Sequence, residues 1–108
     1  MKRTLPLALA ASAAFLMSTG WTRATDQSLY YDLGTVIGSE ASCGLTYDQD
    51  AIRAFIEKHV SPGDMEFIGD LDMRVSNVES EIEHMPVSQK TAHCTQVTRA
   101  AKVYGFVK

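Results

Sequence analysis

The sequence lacks the motifs that identify most enzymes and metalloproteins. It contains no glycine-rich phosphate loop and no nucleophile elbow, and its three histidines do not have metal-ligand spacing. Glu79, Glu81 and Glu83 could pair for acid–base chemistry, but nothing in the sequence places them in a cleft, and a solvated helix surface explains them better. We therefore expect a protein that is not an enzyme and that uses no cofactor or bound metal.

No apolar run reaches the roughly 20 residues that a membrane-spanning helix needs. The longest run, Leu5 to Met17, has 13 residues and follows Lys2 and Arg3. This arrangement predicts a cleavable signal peptide over residues 1–24, with cleavage after Gly20 as the alternative and a retained N-terminal anchor as the less favoured reading. The sequence thus predicts an exported protein, periplasmic or secreted, with residues 25–108 as its single domain and no stable membrane insertion of the mature chain.

Basic residues are in the minority, with 10 Lys and Arg against 13 Asp and Glu. Removal of residues 1–24 takes away three of those bases, which leaves 7 bases against 13 acids and a net charge of −6 with histidines neutral. A net acidic balance argues against nucleic acid or anionic lipid as the main partner.

The charges are also segregated along the chain. Residues 64–83 contain seven acids and one base, Arg74, whereas residues 84–108 contain four bases and no acid. The favoured interpretation is intramolecular complementarity between two neighbouring helices with opposite solvated rims. The alternative is a partner-docking face or a pH-sensitive latch. The candidate residues for that face are Asp70, Asp72, Glu79, Glu83, Arg99 and Lys102.

Four segments show the apolar spacing of amphipathic helices, and none alternates like a strand. The first is expected from about Gln27 to Cys43, with Gly44 as its left-handed stop. Gly34 and Gly38 lie one turn apart within it and predict a close helix crossing. The second segment is expected to begin with a capping box of Thr46 and Gln49.

The third segment, up to its stop at Pro86, has the most regular pattern, with apolar residues separated alternately by three and four positions. These residues are Ile68, Leu71, Val75, Val78, Ile82 and Met85. Ser61 is the expected N-cap of this segment and Ser88 that of the fourth. In the fourth segment, Cys94, Val97, Ala101 and Tyr104 repeat the same spacing before Gly105.

Four such segments with short connections predict an all-α fold, a small antiparallel bundle of about four helices. In that bundle Cys43 would meet Cys94, and export would favour a disulfide between them. The alternative is a pair of free buried thiols. A catalytic redox pair is disfavoured because the two cysteines lack Cys-x-x-Cys spacing.

The chain resembles a group of small exported proteins from alpha-proteobacteria. The resemblance rests on short stretches at residues 30–34, 38–45, 93–96 and 104–106, and it covers most of the mature chain. It implies export but brings no established activity.

The layout is also similar to the periplasmic acid-stress chaperones of the HdeA type. The shared features are a signal peptide, a short helical mature chain, one disulfide over about fifty residues, and Cys94-Thr95-Gln96 in the last helix. This resemblance implies a protein that exposes apolar surface in acid and holds unfolding clients. The chain departs from it by lacking most of the lysine-rich tail and by a longer segment before Cys43.

The function expected from the sequence is a non-enzymatic binding or interaction protein of the cell envelope with an unknown partner. An enzyme inhibitor with residues 61–64 as its contact loop belongs to this class. One alternative is an acid-activated chaperone that binds unfolded clients. A second alternative is a copper carrier that uses thioether and imidazole ligands, for which the candidates are Met65, Met73, His84 and Met85.

Overall fold

A computed structural model describes residues 27–108, and the predicted signal peptide lies outside this range. The described chain forms four helices and contains no β-strand. They are α1 (Gln27–Gly38), α2 (Gln49–His59), α3 (Glu66–Glu83) and α4 (Val87–Tyr104). The prediction of a small all-α bundle with one disulfide is confirmed.

Helix α1 packs chiefly against α3, and two glycines make this contact close. A Cβ atom added to Gly38 would lie 2.9 Å from the carbonyl oxygen of Val75, and one added to Gly34 would lie 2.7 Å from Cγ of Arg74. The predicted close crossing at these glycines is therefore confirmed, with α3 as the partner helix. Because the later glycine of α1 meets the later part of α3, the two helices run in the same direction.

Helix α4 runs in the opposite direction along α1. Ser39, just after α1, contacts His93 in the first half of α4, and Cys43 is bonded to Cys94. The early α1 residue Asp32 lies with Tyr104, at the end of α4, along one groove. The predicted disulfide is confirmed, with an S–S distance of 2.01 Å and a Cα–Cα distance of 5.3 Å.

The core combines the predicted helix stripes with aromatic residues from the loops. Tyr47 and Phe106 are almost fully buried, and their ring centroids lie 5.6 Å apart. The N–H of Asp48 donates to the carbonyl oxygen of Phe106, which joins the start of α2 to the end of the chain. The buried apolar residues are Leu33, Val36, Tyr47, Phe67, Leu71, Val78, Ile82, Val97, Ala101 and Phe106.

Both glycines predicted to stop helices adopt the left-handed conformation, with φ of 70° at Gly44 and 84° at Gly105. At each glycine, the next residue donates its N–H back to a carbonyl five positions earlier, which is the Schellman arrangement. The prediction for the end of the first segment was wrong, however. Helix α1 ends at Gly38, and residues 39–44 form a series of turns that carries Cys43 toward α4.

The predicted N-caps were wrong for three helices. Asp48 caps α2 by accepting from the N–H groups of Asp50 and Ala51, so Thr46 and Gln49 do not form a capping box. The Asp64 carboxylate accepts from the Phe67 N–H at the start of α3, in the position expected for Ser61. Ser88 lies inside α4, which begins at Val87 after Pro86. The start of α4 has no side-chain cap at all, since its N-cap residue is Pro86.

The predicted apolar stripe of α3 is largely correct but begins at the wrong residue. Phe67 is buried, whereas Ile68 is 46% exposed and faces away from the core. Adjacent apolar residues point about 100° apart around a helix, so only one of the two can enter the core. Among the residues that the structure describes, no helix is long and apolar enough to cross a membrane.

Candidate functional site

Within the described chain, the candidate binding surfaces are three open grooves and one exposed face of α3. The first groove lies beside the disulfide and has a volume of about 600 Å³. Cys43, Ile82, Met85, Lys90 and Cys94 contribute to its lining, and we call it the disulfide groove. The disulfide is thus only partly covered, since both cysteines retain some exposure.

The second groove lies between α1, α3 and α4 and has a volume of about 500 Å³. We call it the central groove. Val36, Val97 and Ala100 provide apolar lining, and Asp32, Arg74, Glu81 and His93 provide ionisable lining. These residues come from three helices, so the groove exists only in the folded protein.

Arg74 is held in the central groove by three contacts. Its Nε donates to Thr35 Oγ1 at 3.0 Å, and its Nη1 lies 3.0 Å from Glu81 Oε1. Its guanidinium also lies over the Tyr31 ring, 3.9 Å from the centroid, which is a cation–π arrangement. The Arg74 side chain therefore links α3 to α1, and its positive charge is paired with the Glu81 carboxylate.

Ser39 and His93 form a hydrogen-bonded pair that the sequence analysis did not find. Ser39 Oγ lies 2.8 Å from His93 Nε2 and 2.6 Å from the carbonyl oxygen of Thr35. Because a carbonyl oxygen only accepts, the hydroxyl donates to Thr35 and the imidazole N–H donates to the hydroxyl oxygen. The two residues are 54 positions apart, and no local pattern connects them.

A serine beside a histidine is also the pair that many hydrolases use as nucleophile and base. Ser39 has no solvent-exposed surface, however, and its proton is already committed to a backbone carbonyl. A substrate carbonyl cannot approach a fully buried oxygen. The geometry is that of a structural hydrogen bond between the end of α1 and α4.

Tyr104 lies between the central groove and a third groove, because its ring lines both. The third groove is bounded by α1, α2 and α4, and we call it the α2 groove. Burial and the nearby negative charge of Asp32 raise the pKa of the Tyr104 phenol. The phenol therefore stays protonated and neutral well above neutral pH.

The structure does not support the expected ionic contact between the acidic third helix and the basic fourth one. The ion pairs found over residues 28–108 are Arg53–Asp50 within α2 and Arg74–Glu81 within α3. Neither pair joins α3 to α4. The charge pattern suggested that the acidic side of α3 and the basic side of α4 neutralise each other through ion pairs. For the described residues this expectation was wrong.

The residues predicted for partner binding are all exposed. Asp70, Asp72, Glu79 and Glu83 lie along α3, and Arg99 and Lys102 lie on α4. Arg99 donates to the side-chain oxygen of Gln96 at 3.2 Å. No ion pair among residues 28–108 joins any of these six side chains to another, so their role as a binding site stays a prediction.

The outer face of α3 carries exposed apolar side chains, among them Ile68, which the sequence analysis placed in the apolar stripe of this helix. Met65 is 76% exposed, Met73 64% exposed and Ile68 46% exposed. Met65, Gly69 and Met73 are spaced four residues apart and therefore share one side of the helix. We call Met65, Ile68, Gly69 and Met73 the outer face of α3.

The predicted copper ligands are spread over different surfaces. Met65 and Met73 are two helical turns apart, about 12 Å along the axis, and Met85 lines the disulfide groove. His84 Nδ1 lies 2.8 Å from the carbonyl oxygen of Ser80. Within the described chain, no three His, Cys, Asp or Glu residues are grouped in a way that could hold a metal ion. The copper carrier stays a prediction without a structural observation in its favour.

The fold and its surfaces define a small disulfide-linked helical protein with open grooves and an exposed apolar helix face. Comparison of the chain with protein-family models, with curated proteins and with solved structures finds no match. Its function is therefore argued from these surfaces.

Proposed function

We propose that this protein is a non-enzymatic, exported binding protein of the cell envelope whose docking surface is the outer face of α3. The partner that fits this surface is a basic amphipathic helix of another protein. The observation that carries the proposal is the exposure of Met65, Ile68 and Met73 beside exposed acidic residues of α3.

The apolar part of the face has a shape that suits a helix. A Cβ atom added to Gly69 would have no atom within 4 Å, so this glycine leaves a shallow gap between the two methionines. Methionine side chains are flexible and polarizable, and they are common on surfaces that adapt to helical partners. Exposed apolar side chains grouped on one face mark interaction sites more often than scattered ones do.

The negative charge around this face favours a partner with positive charge. Glu66, Asp70 and Asp72 flank the apolar residues, and Glu79 and Glu83 continue along the same helix. None of these five carboxylates takes part in an ion pair among residues 28–108. An uncompensated acidic rim around an apolar strip is complementary to a helix with leucine on one face and lysine on the other.

The test is a titration of the purified protein with a synthetic amphipathic helix built from leucine and lysine, monitored by backbone amide NMR. We expect salt-sensitive binding, with shifts concentrated around Met65, Gly69 and Met73. Met65→Ser with Met73→Ser should weaken binding at least about tenfold, since two apolar contacts are lost. Val87→Ser is the control, because Val87 is exposed but lies on α4.

Two results would contradict the proposal. One is unchanged binding by the double methionine variant. The other is equal binding of a peptide in which glutamate replaces lysine, because that would remove the charge argument. A further variant combines Arg99→Gln with Lys102→Gln. Loss of peptide binding by this variant would show that the docking surface lies on α4 and not on α3.

The acid-activated chaperone is the second candidate, and one contact favours it. The Glu40 carboxylate accepts from the Tyr47 N–H at 2.6 Å, and this bond anchors the loop that carries a core aromatic residue. A charged carboxylate makes a stronger hydrogen bond than a neutral acceptor does, so this contact is a candidate for the opening that an acid-activated chaperone requires. If the protein fails to reduce aggregation of a denaturing client at about pH 3, this candidate is rejected.

A further inference from the structure

The α2 groove is the most apolar of the three grooves and has a volume of about 570 Å³. Its walls come from α1, α2 and α4, and they include Leu29, Ala51, Ala54, Phe55, Val103 and Tyr104. Phe55 and Tyr104 lie with ring centroids 4.8 Å apart at the junction of α2 and α4. The volume falls within the range of about 300–1,000 Å³ that is typical of small-molecule sites.

Among the residues that the structure describes, Lys58 and His59 line this groove and no carboxylate does. By contrast, Glu83 lines the disulfide groove, and Asp32 and Glu81 line the central groove. In a chain with more acids than bases, an apolar groove with an ammonium group and no described carboxylate at its border favours ligands that combine an apolar body with a negative charge.

We infer that the α2 groove binds a free medium-chain aliphatic carboxylate, with its hydrocarbon chain between α2 and α4 and its carboxylate at the Lys58 ammonium. The small side chains of Ala51 and Ala54 leave room for the hydrocarbon chain along α2, and the Phe55 and Tyr104 rings form an apolar wall.

His59 supports this assignment as a second polar group at the groove. Its ring lies 4.4 Å from the Phe55 ring, so the imidazole is positioned at the edge of the apolar wall. The neighbouring Tyr104 keeps its phenol neutral, as described above, and adds no negative charge to the groove. The site lies on α2 and α4 and shares no residue with the outer face of α3, so it is independent of the proposed docking surface.

The experiment uses the disulfide-bonded protein and decanoate below its micelle concentration, with backbone amide NMR as the readout. We expect saturable shifts at residues 51–59 and 103–104. Decyltrimethylammonium, which has the same chain and the opposite charge, should bind at least about tenfold more weakly.

Two variants and a control locate the site. Ala54→Phe fills the groove from an exposed helix position and should abolish the shifts, and Lys58→Gln should weaken binding severalfold. Lys90→Gln removes a base from the disulfide groove instead and should leave the affinity unchanged.

Equal binding of the cationic and anionic ligands would overturn the inference, as would decanoate binding that survives Ala54→Phe in a variant with the wild-type helical circular dichroism spectrum. Binding to anionic lipid vesicles without binding of monomeric decanoate would also overturn it, because the occupant would then be a membrane surface.

Discussion

Tyr47 connects three parts of the chain through one side chain. Its hydroxyl donates to the carbonyl oxygen of Val36 at 2.8 Å, and its ring packs against Phe106. Burial, and secondarily the nearby Glu40 carboxylate, raise the pKa of this phenol to about 12. Tyr47, which lies between α1 and α2 in the chain, is therefore part of the core together with the buried apolar residues of the helices.

The Tyr47 pKa predicts a loss of stability in alkali. Because the folded-state pKa is raised above the usual 10, the contribution of the neutral phenol is complete below pH 10 and disappears as the pH rises to about 12. Tyr47→Phe should lower the free energy of unfolding by about 1 kcal/mol at neutral pH. Urea denaturation should show this difference shrinking between pH 10 and about 12.

The matched control is Tyr31→Phe, which keeps the ring over Arg74 and removes an exposed hydroxyl. It should leave the unfolding free energy unchanged at every pH. A constant difference between wild type and Tyr47→Phe across the alkaline range would show that Tyr47 does not carry the pH dependence.

Single residues also show where sequence patterns are insufficient. Phe106 follows the Schellman glycine Gly105, and an apolar residue at that position commonly packs back on its helix, so its burial could have been predicted. Ser39 and His93 could not, because only the antiparallel arrangement of α1 and α4 brings them within 2.8 Å. Which of the neighbouring residues Phe67 and Ile68 is buried likewise depends on how α3 packs against α1.

At the scale of helices and turns, the spacing of apolar residues was the reliable feature. Leu71, Val78 and Ile82 are buried as their spacing predicted, because one face of a helix recurs every three or four residues. Helix starts were less predictable. At α2 the cap is Asp48 rather than the nearby Thr46, and α4 begins after Pro86 without a side-chain cap, although Ser88 was available.

The cap of α2 provides a direct comparison between the predicted and observed residues. Asp48→Ala should reduce the free energy of unfolding by about 1 kcal/mol, because the N–H groups of Asp50 and Ala51 lose their acceptor. Thr46→Ala should change it by only a few tenths. Thermal unfolding monitored by circular dichroism measures both, and the opposite order would restore Thr46 as the cap.

The α1–α3 crossing makes a prediction about glycine. Gly38→Ala should destabilise the protein by about 1–3 kcal/mol, because the new methyl would lie 2.9 Å from the Val75 carbonyl oxygen and 3.1 Å from its Cα. Gly69→Ala is the control, since Gly69 has open space around it and is in a helix. It should stabilise the protein by up to about 1 kcal/mol through helix propensity.

The comparison of the two glycine variants is made by chemical denaturation under identical conditions. Stabilisation by both variants would mean that α1 and α3 do not approach each other as closely as described. Destabilisation by Gly69→Ala would instead place a partner on the outer face of α3, for example a second copy of the chain.

At the scale of the whole molecule, α1 is the central element. Its glycines contact α3, Ser39 binds His93 of α4, and the turns after it lead to the disulfide. The fold class and the disulfide were predictable from the sequence, because the predicted signal peptide, the helix spacing and the two cysteines all indicate the same architecture. The binding surfaces were less predictable, since exposed methionines on α3 resemble core residues until the helix is placed.

The disulfide is the contact on which this arrangement depends most. It links residues 51 positions apart, and the loop it closes spans α2 and α3. Constraint of the unfolded chain by a loop of this length is worth about 4 kcal/mol. Small domains have total stabilities of about 5–15 kcal/mol, so the bond supplies a large share of what holds both candidate binding surfaces in place.

The most direct test is therefore the free energy of unfolding of the oxidised protein compared with that of a Cys43→Ser, Cys94→Ser variant, measured by urea denaturation. We predict a loss of about 4 kcal/mol and a variant that is partly unfolded at 37 °C. Equal stability of the two proteins, or alkylation of two free thiols in the native product, would contradict the account.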